Sequence, residues 1–271
     1  MQGFAHFIPT ETKISYINQL LRVGFDTIDF GSFVSSKVIP QMQDTTEVLN
    51  GLDLTDTHSK LLAIIANRKG AELAAQFPQI SYLGFPFSVS ETFQLRNTNS
   101  TIHASLELAE QIQELCARHN KKLVLYLSMA FGNPYGDVWN VEIVEHWTTE
   151  MDKLGVKIIS LSDTIGVADP SSISYLFNGL IQAFPHIEFG AHLHTQPHNW
   201  KEKIHTAFSS GCRRFDGAIK GFGGCPMAAD ELTGNMPTEH IINYFQEHEV
   251  NTNIDMEAFN LSVNRSLRVF V

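Results

Sequence analysis

The chain has 271 residues, 43% of them apolar and 18% charged, and a net charge of −10. That is enough apolar material for one large domain or two small ones, and too little charge for a disordered chain. The acidic balance argues against nucleic acid or an anionic membrane surface as a partner.

Three cysteines, Cys116, Cys212 and Cys225, form an odd and sparse set that fits a reducing cytosol better than a disulfide framework. No apolar run approaches the ~20 residues of a membrane span. The opening MQGFAHFIPTETK has neither the basic start nor the apolar core of a signal peptide, so a cytoplasmic location is expected.

In chain order, residues 12–24 come first as a helix, with Ile14, Ile17, Leu20 and Leu21 on one face and Gly24 as its C-cap. Residues 25–33 read as a strand that ends near Asp29 and Ser32. Short apolar strands follow at 60–66 and 80–88, then a long amphipathic helix at 101–120 and a strand at 121–131. The run 156–164 is a strand closing on Asp163, and 170–184 is a helix with Pro170 in its first turn. Residues 187–194 form a strand carrying His192 and His194, and 213–221 form another. A glycine-rich loop and a helix at 238–248 complete the series, and the final segment 255–270 packs either on the barrel or on a partner subunit.

Strand–helix alternation over this length predicts a parallel sheet covered by helices. No Gly-rich dinucleotide turn follows the first strand, which favours a closed barrel over an open nucleotide-binding sheet. Polar residues also gather at several strand ends (Asp29, Ser32, Ser128, Asp163, His192 and His194), as in a (β/α)8 TIM barrel. Only seven strands can be counted. The expectation is therefore a single-domain α/β chain, a TIM barrel lacking its first strand, with a C-terminal helical extension.

Residues two apart on a strand face the same side, so both imidazoles of His192 and His194 can point into the barrel mouth and share a cation. The alternative is a pair of histidines hydrogen-bonded within a polar interior. Asn235 ends the loop GFGGCPMAADELTGN (221–235) that returns beside this strand; it is a candidate oxygen ligand for Mg2+ or Mn2+, or else a turn residue. Cys225 sits in a glycine-rich bend where it can act as acid or nucleophile. Asp29 and Asp163 can position a hydroxyl or a water, while Asp163 can equally cap the following turn.

The segments SFVSSKVIPQMQDTTEVL, YLSMAFGNPYG, ISLSDTIGVADP, HLH and GFGGCPMAADELTGNMPTE resemble the motifs of the 3-hydroxy-3-methylglutaryl-CoA lyase family, over residues 1–265. The resemblance implies cleavage of 3-hydroxy-3-methylglutaryl-CoA to acetyl-CoA and acetoacetate, with a place in leucine degradation and ketone body formation, an acyl-CoA as substrate and a homodimer as the assembly. It implies a Mg2+ or Mn2+ ion held by His192, His194, Asn235 and an aspartate, with Cys225, Asp163 and Asp29 as catalytic groups. Three departures stand out: Asp29 replaces the usual glutamate, Thr195 replaces an aspartate after HLH, and the Arg-Asp pair that ends the family's first strand would fall about two positions before Met1. The expectation is an N-terminally shortened, impaired lyase; a related acyl-CoA lyase or condensing enzyme, or a non-catalytic homologue, are the alternatives.

Overall fold

The structure, a computed structural model, describes residues 1, 4, 6–223 and 234–270. Among these residues seven strands alternate with helices: β1 (Thr27–Ser32), β2 (Lys60–Ile64), β3 (Ile80–Ser88), β4 (Lys122–Ser128), β5 (Ile158–Asp163), β6 (Glu188–Leu193) and β7 (Arg214–Phe215). They form one sheet in sequential order, parallel throughout. This is the TIM-barrel order with one strand fewer, as the sequence count predicts.

The helices are α1 (Thr10–Leu21), α2 (Thr45–Asn50), α3 (Arg68–Ala75), α4 (Glu91–Thr98), α5 (Ile102–Arg118), α6 (Val141–Lys153), α7 (Pro170–Ala183), α8 (Trp200–Ser209), α9 (Thr238–Glu247) and α10 (Met256–Val269). Several begin where the sequence supplies a cap. Asn67, Ser90, Thr101, Asn140, Asp169 and Asp255 each accept a hydrogen bond from the backbone N–H three residues on. Such caps are each worth about 1 kcal/mol.

The strands are apolar on both faces because both are covered. Leu61, Ala63, Leu83, Phe85, Leu125, Leu127, Ile159 and Leu161 point outward into the main core beneath the helices. The alternate residues Leu62, Tyr82, Val124 and Ile158, with Ile64 and Tyr126, form a smaller apolar cluster inside the barrel.

Two stretches depart from the sequence expectation. The strand read at 213–221 keeps only Arg214–Phe215 in the ladder and ends in a 3₁₀ turn at Ile219–Gly221. Beyond Asp216 the backbone pairs with the returning loop instead: Ala218 N–H donates to Met236 O, and Thr238 N–H donates to Ala218 O. The C-terminal segment, left open by the sequence, packs as α10 on α1 of the same chain. Gln19 donates to Ala258 O at 3.1 Å, and Phe259 joins Val23, Ile219 and Ile242 in a separate buried cluster.

Candidate active site

The site forms where β6, β7 and the stretch after the glycine-rich loop meet. His194 lies just beyond β6 and pairs with Asn235 in an antiparallel bridge. Thr195 N–H donates to Gly234 O and Met236 N–H donates to Leu193 O, so His194 and Asn235 are the non-hydrogen-bonded residues between these two bonds. In that arrangement side chains stand closest, on one face of the ladder. The ring of His192, two residues back, lies with its centroid 5.7 Å from that of His194.

Two of the three side chains are oriented by a neighbour. Asp216 Oδ2 lies 3.2 Å from His192 Nδ1, which leaves Nε2 free of that contact. The Asn235 amide donates through Nδ2 to Phe222 O at 2.9 Å, so its Oδ1 remains as an acceptor. Gly223 (φ +94°) permits this close approach, since a Cβ there would lie 3.0 Å from Asn235 Nδ2. His194 is 3% exposed, and its Nδ1 is buried with no hydrogen-bond partner among the described residues. An unpaired buried polar atom costs about 1–3 kcal/mol, and a bound cation would satisfy one.

Electrostatics separate the groups. Burial, the neighbouring His192 and the Lys203 ammonium push His194 down to about 3, so it stays neutral, as a ligand must be. Burial would raise Asp216, but the bond to His192 and the charges of His192 and Arg214, with Ser160, outweigh it and hold the carboxyl below its usual range. Asp29 projects from β1 into the interior, where solvent reaches it but the strands crowd it. That desolvation, reinforced by the charge of Asp216, lifts its carboxyl to about 7. The interior is completed by Tyr126, edge-on to His192 at 5.3 Å, and by Arg214, whose Nε is 4.0 Å from Asp216 Oδ1. Gly190 makes room for Arg214, because a Cβ there would lie 2.9 Å from the arginine Cδ.

The structure thus brings together His192, His194 and Asn235, with Asp29 facing the same interior. Asp163, expected either to position a hydroxyl or water or to cap the following turn, does not join them. Its side chain is wholly buried on the other side of β5, with Oδ2 2.6 Å from Lys203 Nζ and Oδ1 accepting from Ala168 N–H at 3.0 Å. Cys225 lies outside the described residues. Thr195 is buried against Met236 Sδ at 3.9 Å.

Sequence reasoning missed Asp216 and Lys203. The first had a signal: Arg214 and Asp216 alternate on the strand-like run after His192 and so share its inward face. Among the described residues no three His, Cys, Asp or Glu side chains converge on a cation position, so the third donor beside the two histidines would be the amide of Asn235. The mixed nitrogen and oxygen set suits a hard or borderline divalent cation.

Comparison with known proteins gives the family and the fold. The family described as HMGL-like matches residues 1–264. The chain is 32% identical to the hydroxymethylglutaryl-CoA lyase YngG of Bacillus subtilis over 95% of its own length and 85% of that protein. It is 31% identical to the 3-hydroxy-3-isohexenylglutaryl-CoA/hydroxymethylglutaryl-CoA lyase of Pseudomonas aeruginosa, covering 93% and 83%. An HMG-CoA lyase from Acinetobacter baumannii, solved in complex with coenzyme A and 3-methylmalate, superimposes with a TM-score of 0.91 at 29% identity, covering 99% of this chain and 87% of that one.

Proposed function

Because the chain belongs to the HMGL-like family, we propose that it is a divalent-cation-dependent carbon–carbon lyase that cleaves 3-hydroxy-3-methylglutaryl-CoA to acetyl-CoA and acetoacetate. The observation that carries this reading is the His194–Asn235 bridge with the ring of His192 5.7 Å from that of His194, which sets three possible donor side chains side by side. His192, His194 and Asn235 would hold Mg2+ or Mn2+. When bound, such an ion lowers the pKa of the substrate's tertiary hydroxyl and polarises the neighbouring carbonyl oxygen.

The chain's own groups handle the protons. Asp29, with a carboxyl near 7, is suited to accept the hydroxyl proton at neutral pH. As that proton leaves, the bond between the carbinol carbon and the thioester α-carbon breaks, giving the ketone of acetoacetate and a thioester enolate. Cys225 is assigned the delivery of a proton to that enolate, by its match to the family's cysteine. Asp216 keeps the Nδ1–H tautomer of His192, so that Nε2 presents its lone pair.

The likeness to a coenzyme A complex supports an acyl-CoA as substrate. The products would place the enzyme in leucine degradation and ketone body formation. A homodimer and a cytoplasmic location belong to the same reading. No described helix is long and apolar enough to cross a membrane, and the buried free thiols of Cys116 and Cys212 are at home in a reducing compartment.

A second reading, a longer-branched 3-hydroxy-3-alkylglutaryl-CoA as substrate, is favoured by the Pseudomonas relative, whose name covers both an isohexenyl and a methyl compound. The test is acetoacetate release from 3-hydroxy-3-methylglutaryl-CoA with Mg2+ or Mn2+, expected with the wild type and lost in His192→Ala. Cleavage of the longer thioester alone moves the assignment to the second reading; no cleavage of either overturns both.

A further inference from the structure

Lys203 is one of the most deeply buried residues in the molecule, at 1% exposure, although it is a lysine on the fourth position of α8. All three of its N–H donors are used. Nζ lies 2.6 Å from Asp163 Oδ2, 2.9 Å from His194 O and 3.1 Å from Gly166 O. These acceptors belong to three segments: the end of β5, the turn after it, and the residue that follows β6.

The contact with His194 is a consequence of the bridge geometry. In a non-hydrogen-bonded pair, a residue's own N–H and C=O point away from the partner strand. The His194 carbonyl therefore has no role in the bridge to Asn235 and is available to the ammonium. The backbone at His194 is held from one side by the bridge to Asn235 and from the other by Lys203. Asp163, whose second oxygen is occupied by Ala168 N–H, balances the lysine charge. The cluster is closed, with no hydrogen-bonding capacity left on the lysine for substrate.

We propose that Lys203, braced by Asp163, is a positioning residue for the cation site: it fixes the backbone of His194 so that its imidazole meets His192 and Asn235. This rests on the lyase reading of the site. The experiment measures Mn2+ affinity of the full chain by electron paramagnetic resonance, alongside thermal unfolding to establish that each variant is folded. Lys203→Met should raise the Kd for Mn2+ by about tenfold or more, the range seen when supporting partners of metal ligands are removed.

That variant leaves Asp163 unpaired and can fail to fold, so Asp163→Asn/Lys203→Met, which removes both charges together, carries the test. Lys13→Met, which breaks a comparable buried pair that hydrogen-bonds to neither histidine, should leave the Kd unchanged. If the wild type binds Mn2+ and the folded double variant binds it equally well, or if Lys13→Met weakens binding as much, the positioning role is overturned while the lyase reading stands. If the wild type itself binds no Mn2+, the cation-site reading falls and this one with it.

Discussion

Two lysines in this chain give up nearly all their water, each against an aspartate. Lys13 lies 2.7 Å from Asp44, with side chains 3% and 6% exposed, and Lys203 lies 2.6 Å from Asp163, at 1% and 0%. Both ammonium groups also bond to backbone carbonyls: Gln41 O for Lys13, and Gly166 O and His194 O for Lys203. The chemistry is the same and the placement differs. Lys13 joins α1 to the turn before α2, where Thr10 shares Asp44 and the Gln41 side chain holds the backbone of Phe4, His6 and Ile8. Lys203 joins two strand ends that border the candidate site. A buried ion pair is weak evidence for net stabilisation, because desolvation offsets the attraction. What such a pair does well is fix backbone segments, and which segments it fixes decides what its loss disturbs.

The largest effect comes from removing one member of either pair. Asp44→Ala or Asp163→Ala leaves an ammonium buried without its anion and should each cost about 3–5 kcal/mol in denaturant unfolding. The comparison holds if the two losses are similar while only the Asp163 variant weakens Mn2+ binding by the protein that remains folded. It breaks if the Asp44 variant weakens binding to the same degree.

A third acid–base contact sharpens the distinction, because it is only partly buried. Asp216 meets His192 at 3.2 Å, with side chains 22% and 33% exposed. Asp216→Asn preserves shape but removes the preference for the Nδ1–H tautomer. It should weaken Mn2+ affinity about 10–100-fold, as loss of an outer partner of a metal-binding histidine does. Unfolding free energy should shift far less than in the Lys–Asp variants, within ~1 kcal/mol. A calorimetric titration with Mn2+ reads the first quantity and urea unfolding the second. Unchanged affinity would mean that Asp216 does not set the tautomer.

These contrasts also explain what the sequence could reveal. Strand–helix alternation exposed seven strands and the barrel order, since buried parallel strands are short apolar runs of a recognisable kind. The period of two put His192 and His194 on one face. Asn235 was reachable only by assuming that the chain after the glycine-rich loop returns beside β6, as the bridge between His194 and Asn235 shows. Lys203 was not legible. It lies in WKEKIH, where a lysine on a helix ordinarily faces water, and its acceptors are contributed by Asp163, forty positions earlier, and by two backbone carbonyls. Asp163 kept two readings, catalytic and capping, for the same reason: a carboxylate at a strand end looks alike in both until its partners, here Lys203 and Ala168 N–H, are known.

The smallest effect tests a buried imidazole that makes no ion pair among the described residues. His194 is held down to about 3 in the fold, chiefly by burial, with His192 and Lys203 adding repulsion, whereas an unfolded histidine titrates near 6.5. Between those values the unfolded chain binds a proton that the folded chain does not, so stability from this group is present above pH ~6.5 and lost as pH falls. In chelator-treated protein, lowering pH from 7 to 5 should remove about 1–2 kcal/mol through His194. Asp29 works in the opposite sense: its carboxyl, raised to about 7, favours the folded state at low pH and loses that contribution as pH rises through 7. Raw stability curves therefore mix the two. The difference between wild type and His194→Asn cancels the shared Asp29 contribution, and it should shrink by that 1–2 kcal/mol on going from pH 7 to pH 5. Parallel curves would mean that the imidazole finds a proton-stabilising partner in the fold, and that His194 differs from Lys13 and Lys203 less than its orphaned Nδ1 implies.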